Sequence, residues 1–320
     1  GVLYTWGEEY LPAENARFGI EASETAEEIG FRDGDFILSV DHQPVDDFYN
    51  IVPTIVLEGA ESVQVRRNGI ETEVLIDTDD IAVMMKTRNL IGLRFPFKML
   101  ITDFGKESPA REAGMLKGDE VLRINGMEFE FHDQFVCELN KHRDEELQVT
   151  VRRDSQLIDI PLRLTAEGMM GVQWNNNFSE YFEFKTIEYG FWESIPAGIA
   201  LGYQTSVDYL KQFKLIFNRK TKGYESLGGF ITIGSIFPGQ WNWHAFWNMT
   251  AFLSIILAIM NILPIPALDG GHVLFVLYEM ITGRKPNEKF LEYAQIAGLI
   301  LLLLLVLYAN ANDVIRLFTK

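Results

Sequence analysis

The chain divides by polarity into two parts. Residues 1–190 mix charged and apolar positions, whereas residues 191–320 carry long apolar runs. Residues 246–263 contain no charged side chain and would form a helix of about 27 Å, close to the thickness of a bilayer core. Residues 293–309 are more apolar still. Charge-free leucine runs of this kind are uncommon in soluble domains, so the pattern predicts two transmembrane helices rather than two buried core helices.

The charged part contains an internal repeat. Residues 25–41 and 109–126 each show a short helical pattern ending at Gly, a Gly-Asp turn, an alternating strand and a second turn. The glycines of the two Gly-Asp pairs, at positions 34 and 118, are 84 residues apart. A period of this size predicts two tandem small α+β domains rather than a solenoid.

The stretch between the repeat and the first apolar run is amphipathic. Apolar residues recur at helical spacing over residues 191–217, which indicates either an interfacial helix lying on the membrane or an ordinary helix packed on the second repeat. Residues 227–233, which begin Leu-Gly-Gly, favour a glycine-hinged strand leading into the first span. Tryptophans at 241, 243 and 247 are typical of an aromatic belt at the membrane interface.

Composition narrows the function classes. A net charge of −17 and an isoelectric point near 4.7 argue against a nucleic-acid surface. The single cysteine, Cys137, excludes an intramolecular disulfide framework and a Cys-rich zinc site. The basic loop 284–289 is expected in the cytoplasm, and the acidic part on the opposite side of the membrane. The chain does not begin with Met, and we expect it to be the C-terminal part of a longer protein, with residues 1–12 ending an upstream span.

An aspartate follows the first span inside the apolar stretch 261–272. A carboxylate carried into a bilayer is costly, so Asp269 is a candidate functional residue. Pro264 and Pro266 break the helix there, and irregular backbone at membrane depth is tolerated only where it is packed in protein or lines a cavity. Asn261 is expected either to donate to a substrate carbonyl or to make a helix–helix hydrogen bond.

The repeated segments resemble PDZ domains, the second copy more closely than the first. In that resemblance, Gly92, Leu93, Arg94 and Phe95 stand where the carboxylate-binding loop of the second copy would lie. Such a groove would bind peptide C-termini by strand addition. The alternative is that the pair serves only as a steric gate.

The sequence Asn-x-x-Pro-x-Pro-x-Leu-Asp-Gly-Gly-His, downstream of two PDZ-like units, resembles the site-2 protease family of intramembrane zinc metalloproteases, in its RseP-type branch. The resemblance implies that Asp269 is the third zinc ligand. It also implies that two further ligands and the general base belong to a His-Glu-x-x-His helix, which this chain lacks and which we expect upstream of Gly1. The expected substrate is a single-span membrane protein such as an anti-sigma factor. A non-catalytic, membrane-tethered PDZ scaffold is the alternative.

The same resemblance gives roles to the remaining candidates. Asn261 would position the substrate, and Gly270, Gly271 and His272 would surround the metal site. The predicted substrate-binding residues are Pro264, Pro266, Gly228, Gly229 and Ile231.

The sequence therefore predicts a multidomain, multi-pass protein of the bacterial inner membrane, with the PDZ-like units in the periplasm. The predicted segments are 1–12 (end of a span), 13–88 and 89–168 (PDZ-like), 169–244 (linker, interfacial helix and Gly-rich strand) and 245–320 (membrane domain).

Overall fold

The computed structural model describes residues 1–87, 89–175, 177–217, 223–237 and 241–318. The first part of the chain packs around one core formed by residues between Leu11 and Phe95 together with Phe182, and we call residues 11–95 the first unit. In it, β3, β4 and β5 form an antiparallel sheet, and β2 pairs with β6. Its elements and their flanks are α1 (Val2–Trp6), β1 (Glu8–Tyr10), β2 (Ile20–Ala22), α2 (Glu24–Ile29), β3 (Phe36–Val40), α3 (Ile51–Glu58), β4 (Ser62–Arg67), β5 (Ile70–Leu75), α4 (Thr78–Met84) and β6 (Ile91–Leu93).

A second core lies between residues 97 and 174, which we call the second unit. Its strands form one antiparallel sheet in the order β11-β10-β8-β7-β12, with β9 paired to β8. Its elements are β7 (Met99–Phe104), α5 (Pro109–Glu112), β8 (Glu120–Ile124), β9 (Met127–Glu128), α6 (His132–Lys141), β10 (Glu146–Arg153), β11 (Gln156–Arg163) and β12 (Val172–Trp174).

The Gly-Asp repeat corresponds to a buried ion pair that occurs once in each unit. The carboxylate of Asp35, fully buried, accepts hydrogen bonds from Nε and a terminal nitrogen of Arg67, both at 2.7 Å. Asp119, also fully buried, accepts from Arg153 at 2.7 and 2.6 Å. A buried carboxylate is tolerated when such bidentate bonds compensate its desolvation. The sequence repeat is therefore a structural repeat.

The structure corrects the assignment of residues 91–95. We predicted Gly92, Leu93, Arg94 and Phe95 as part of the second unit, but β6 pairs with β2 and both Leu93 and Phe95 are buried in the core of the first unit. Each unit is closed by the strand at its C-terminal end, since β12 pairs with β7 in the second unit in the same way. The boundary between the units therefore lies near residue 96 rather than between residues 88 and 89.

The apolar part of the chain is helical. α9 and α11 are each long and apolar enough to cross a membrane, which agrees with the two predicted spans. α10 lies between them and was not predicted; its 14 residues would extend only about 21 Å. The elements are β13 (Lys185–Ile187), which pairs with β1, and then α7 (Ser194–Phe217), α8 (Phe230–Ser235), α9 (Trp243–Ile262), α10 (Asp269–Thr282) and α11 (Glu288–Phe318).

The segment between the units and the spans differs partly from its prediction. α7 confirms the predicted helix, and it contacts α1, α9 and α3 of the first unit. Lys211 of α7 forms an ion pair of 2.5 Å with Glu58 at the end of α3. The predicted strand at 227–233 is wrong, because the chain is helical from Phe230, where a carboxylate of α11 accepts hydrogen bonds from the first turn.

The two units meet at a polar and aromatic junction. Arg94 of the first unit forms an ion pair with Asp133 in the first turn of α6, at 3.2 Å. Beside it, the ring of His132 stacks between Phe95, at 4.8 Å, and Trp174, at 4.9 Å between centroids. The junction therefore joins the core of the first unit to the start of a helix of the second.

Glu21 lies at the same junction and carries a raised pKa. Burial is the largest cause of the increase, and the nearby carboxylates of Asp133 and Asp33 raise the pKa further, whereas Arg94 lowers it. The net effect raises the pKa of Glu21 from 4.5 to about 7. Because the folded pKa is above that of an unfolded glutamate, the protonated form stabilises the fold at low pH. This contribution is lost as the pH rises through about 7.

We predict that Glu21→Gln removes this pH dependence. Relative to the wild type, the melting temperature of the variant should rise progressively between pH 5 and pH 8, because glutamine stays neutral where Glu21 ionises. The measurement is the thermal unfolding of the charged units, followed by circular dichroism over that pH range in the intact protein. Glu28→Gln, at an exposed position of the same unit, is the control and should follow the wild type. Parallel curves for Glu21→Gln and the wild type would contradict the prediction.

Candidate active site

The first span ends at a proline-rich break. α9 stops at Ile262, and Leu263 adopts an extended conformation with ψ of 139°. Proline restricts the preceding residue to extended conformations and lacks the N–H that a continuing helix would need. Since Pro264 and Pro266 both apply this restriction, six residues pass before α10 begins at Asp269. The helix break predicted from the prolines is confirmed.

Asp269 is the first residue of α10. The N-terminus of a helix carries unpaired N–H groups and a partial positive charge, so a carboxylate is favoured there. Asp269 shares a cavity of about 400 Å³ with Asn261 and Pro264. The other residues that line this cavity are Ile262, Gly270, Val273, Leu274 and Leu277. The structure thus brings two polar candidates, one from the end of α9 and one from the start of α10, to one mostly apolar cavity.

Gly270 and Gly271 allow the start of α10 to fold back on the break. A Cβ atom at Gly270 would lie 2.5 Å from the carbonyl oxygen of Ile262, and one at Gly271 would lie 2.6 Å from the Cα of Pro266. Both distances are too short for a real contact, so any side chain would push the two segments apart. We predicted these glycines beside a metal; the structure shows that their backbone packing positions Asp269.

A third glycine, on α11, also packs against the break. Its role was not predicted from the sequence. Gly298 of α11 is buried, and a Cβ atom there would lie 3.0 Å from the carbonyl oxygen of Pro266 and 3.1 Å from the amide nitrogen of Ala267. The available signal was its position as a single glycine in a span rich in leucine. α11 therefore supports the irregular backbone directly.

The remaining predicted residues do not line the Asp269 cavity. Gly228, Gly229 and Ile231 lie at the start of α8, beside the end of α11. Gly228 also lines a separate apolar cavity of about 450 Å³ between α3 and α7. Pro266 and His272 are not among the residues that line the Asp269 cavity, and His272 is exposed on α10.

The side chains that could bind a metal ion can be compared with the ligands that a catalytic zinc ion requires. A catalytic zinc ion takes three protein ligands and a water molecule. Over the described parts of the chain, no group of three His, Cys, Asp or Glu side chains is placed to hold a metal ion. These residues offer Asp269 as a single candidate ligand and do not by themselves fit a zinc ion.

Comparison with known proteins identifies the family. The sequence profile of Peptidase family M50 matches residues 51–305, which includes the proline break, Asp269 and most of α11. The chain belongs to this family. This match confirms, at the level of the family, the resemblance to site-2 proteases that was found in the sequence.

Several curated relatives are metalloproteases by name. The chain is 30% identical over 232 residues to a putative zinc metalloprotease of Campylobacter jejuni, a match that covers 68% of this chain and 60% of the relative. A putative zinc metalloprotease of Neisseria meningitidis is 27% identical over 326 residues, covering 93% of this chain and 71% of the relative. The regulator of sigma-W protease RasP of Bacillus subtilis is 29% identical over 243 residues, covering 74% and 55%. The chain thus spans between about half and seven tenths of the length of these relatives.

Proposed function

We propose that this M50 chain is part of an intramembrane zinc metalloendopeptidase, and that Asp269 is one of its zinc ligands. The observation that carries the proposal is the shared cavity of Asp269 and Asn261 at the break between α9 and α10. The zinc metalloprotease names of the relatives support the choice of metal. The other ligands of the metal would lie outside the described residues, in a His-Glu-x-x-His helix of the full-length protein.

The lining of the cavity supports a transmembrane protein as the substrate. Val273, Leu274 and Leu277 form an apolar wall of the same cavity. An apolar segment of a single-span protein would be desolvated favourably on this wall. Asn261, with an amide that can donate, would then bind a carbonyl group of the segment next to Asp269. The name of the RasP relative, a regulator of sigma-W protease, supports an anti-sigma-factor-like substrate.

We further propose that the two units are PDZ-like and control which substrates reach the cavity. β6 has one paired neighbour in its described sheet, β2, so an extended peptide terminus could add to its other edge. Arg94 and Phe95 are already engaged at the junction between the units, by Asp133 and by the ring of His132. That engagement favours a role as a size-selective gate over peptide binding by these two side chains.

The proposed catalytic role predicts the effect of Asp269→Asn in the full-length protein. Asparagine keeps the size of the side chain but loses the negative charge, so cleavage of a single-span membrane substrate should fall at least about a hundredfold. Membrane insertion should be unchanged. The measurement is the rate of substrate cleavage in proteoliposomes, with the amount of inserted protein determined in parallel.

Glu292→Gln is the matched control for this experiment, because it neutralises an exposed carboxylate on α11. It should cleave at the wild-type rate. Normal cleavage by Asp269→Asn would contradict the assignment of Asp269 as a zinc ligand, whereas no cleavage by the wild-type protein would favour a non-catalytic scaffold.

We propose a multi-pass location in the bacterial inner membrane, with both units in the periplasm and the loop 284–289 in the cytoplasm, as the positive-inside rule favours. Cys137, the only cysteine of this chain, is exposed on α6 and can report the side of the second unit. In a full-length variant with no other cysteine, a membrane-impermeant maleimide added to spheroplasts should label Cys137. A Cys137→Ser, Lys285→Cys variant should be labelled only after lysis. The reverse pattern would overturn the proposed orientation.

A further inference from the structure

Three polar side chains cluster near the end of α11. Asn310, Asn312 and Asp313 lie within the part of this helix that is apolar enough to span a membrane. Asp313 is only 3% exposed, so its carboxylate is removed from solvent. Polar groups in such a position are costly unless each one is hydrogen-bonded, and in a span they mark candidate functional positions.

Asp313 binds the first turn of α8. One of its carboxylate oxygens accepts a hydrogen bond from the backbone N–H of Thr232 at 3.0 Å, and the hydroxyl of Thr232 donates to the other oxygen. A carboxylate that accepts from the first amides of a helix satisfies donors that have no partner within the helix. Here the capping group comes from a helix 81 residues further along the chain.

The two asparagines hold the chain just before α8. The side-chain oxygen of Asn310 accepts from the N–H of Phe230 at 3.3 Å, and the side-chain nitrogen of Asn312 donates to the carbonyl oxygen of Leu227 at 3.0 Å. Both bonds flank Gly228 and Gly229. Three polar residues within four positions of α11 thus bind the backbone of one short segment, residues 227–232, which we call the glycine segment.

The close approach of the glycine segment to α11 requires glycine. A Cβ atom at Gly229 would lie 2.8 Å from the side-chain oxygen of Asn310 and 2.9 Å from its Cα. Any other residue would separate the segment from the helix and break the hydrogen bonds on either side. Glycine at this position and the polar residues of α11 therefore depend on each other.

α11 connects this segment to the candidate active site. Gly298, twelve residues before Asn310, packs on the backbone of Pro266 and Ala267 in the break next to Asp269. Twelve residues of an α-helix rise about 18 Å. One rigid helix thus fixes both the break that presents Asp269 and the glycine segment, and it sets the distance between them.

We propose that Asn310, Asn312 and Asp313 are positioning residues for the protease reaction. They hold the glycine segment in the conformation that receives the substrate backbone, at a distance from Asp269 set by α11. None of the three touches the substrate. This inference rests on the proposed function and extends it, because it takes the glycine segment, where Gly228, Gly229 and Ile231 are predicted to bind the substrate, as a second contact with the substrate beyond the Asp269 cavity.

The test compares Asp313→Asn, Asp313→Ala and Asn312→Ala in the full-length protein. Each lost hydrogen bond should raise KM for a single-span substrate by about threefold to tenfold. Asp313→Asn should show a smaller effect than Asp313→Ala, because asparagine keeps one acceptor. kcat and zinc content should remain within about twofold of the wild type, because the Asp269 cavity is untouched. Hydrogen exchange of the amides of residues 230–232 should accelerate in the same order as KM.

Glu292→Gln, on an exposed position of α11, is again the matched control and should change neither KM nor exchange. A variant that exchanges faster but keeps its KM would show a purely structural role and overturn the inference, as would a fall in kcat with KM unchanged. Unchanged exchange would show that the hydrogen bonds do not hold the segment. If the wild type itself cleaves no substrate, the proposed function fails, and this inference fails with it. Asn312→Ala removes the neutral hydrogen bond to Leu227 and keeps the test valid should either Asp313 variant fail to fold.

Discussion

The helix break at residues 263–268 is the constraint on which the apolar part of the structure depends. A backbone that leaves helical geometry inside a membrane must be packed against protein, because lipid cannot satisfy its polar groups. Here glycines allow the backbone to pack closely: Gly270 and Gly271 bring the start of α10 against the break, and Gly298 brings α11 against it. The result is an aspartate at a helix N-terminus beside an open cavity.

α11 has a second role in the same arrangement. Gly298 supports the break, and Asn310, Asn312 and Asp313 near the C-terminal end of α11 hold the glycine segment. The glycine contacts of α11 with the break and with the glycine segment, together with the buried carboxylate of Asp313, therefore relate parts of the chain that are far apart in sequence. This explains why a segment that looks like a strand in the sequence folds as a short helix: its first turn is capped by Asp313.

The features that could be predicted from the sequence are those that local patterns specify, and most of those that were missed depend on contacts between residues far apart in the chain. The apolar runs, the prolines and the Gly-Asp repeat each specify a structure within a few residues, so the two spans, the break and the repeat could be predicted. The partner of residues 91–95 could not, because a short strand does not encode which sheet it joins, and here it closes the first unit. Other contacts that were missed join residues at least 30 positions apart, and no spacing in the sequence indicates such pairs. They are the buried ion pairs made by the two arginines, the contact of Gly298 with the break, and the hydrogen bonds from the polar residues near the end of α11.

The central claim is that Asp269 binds zinc, and X-ray absorption at the zinc edge of the purified full-length protein tests it most directly. The account predicts a zinc ion in the wild type whose nearest shell contains a carboxylate oxygen at about 2.0–2.2 Å. In Asp269→Asn, the number of oxygen and nitrogen neighbours at that distance should fall by one, or zinc occupancy should fall at least about tenfold. Equal zinc content and an unchanged first shell in the variant would contradict the assignment.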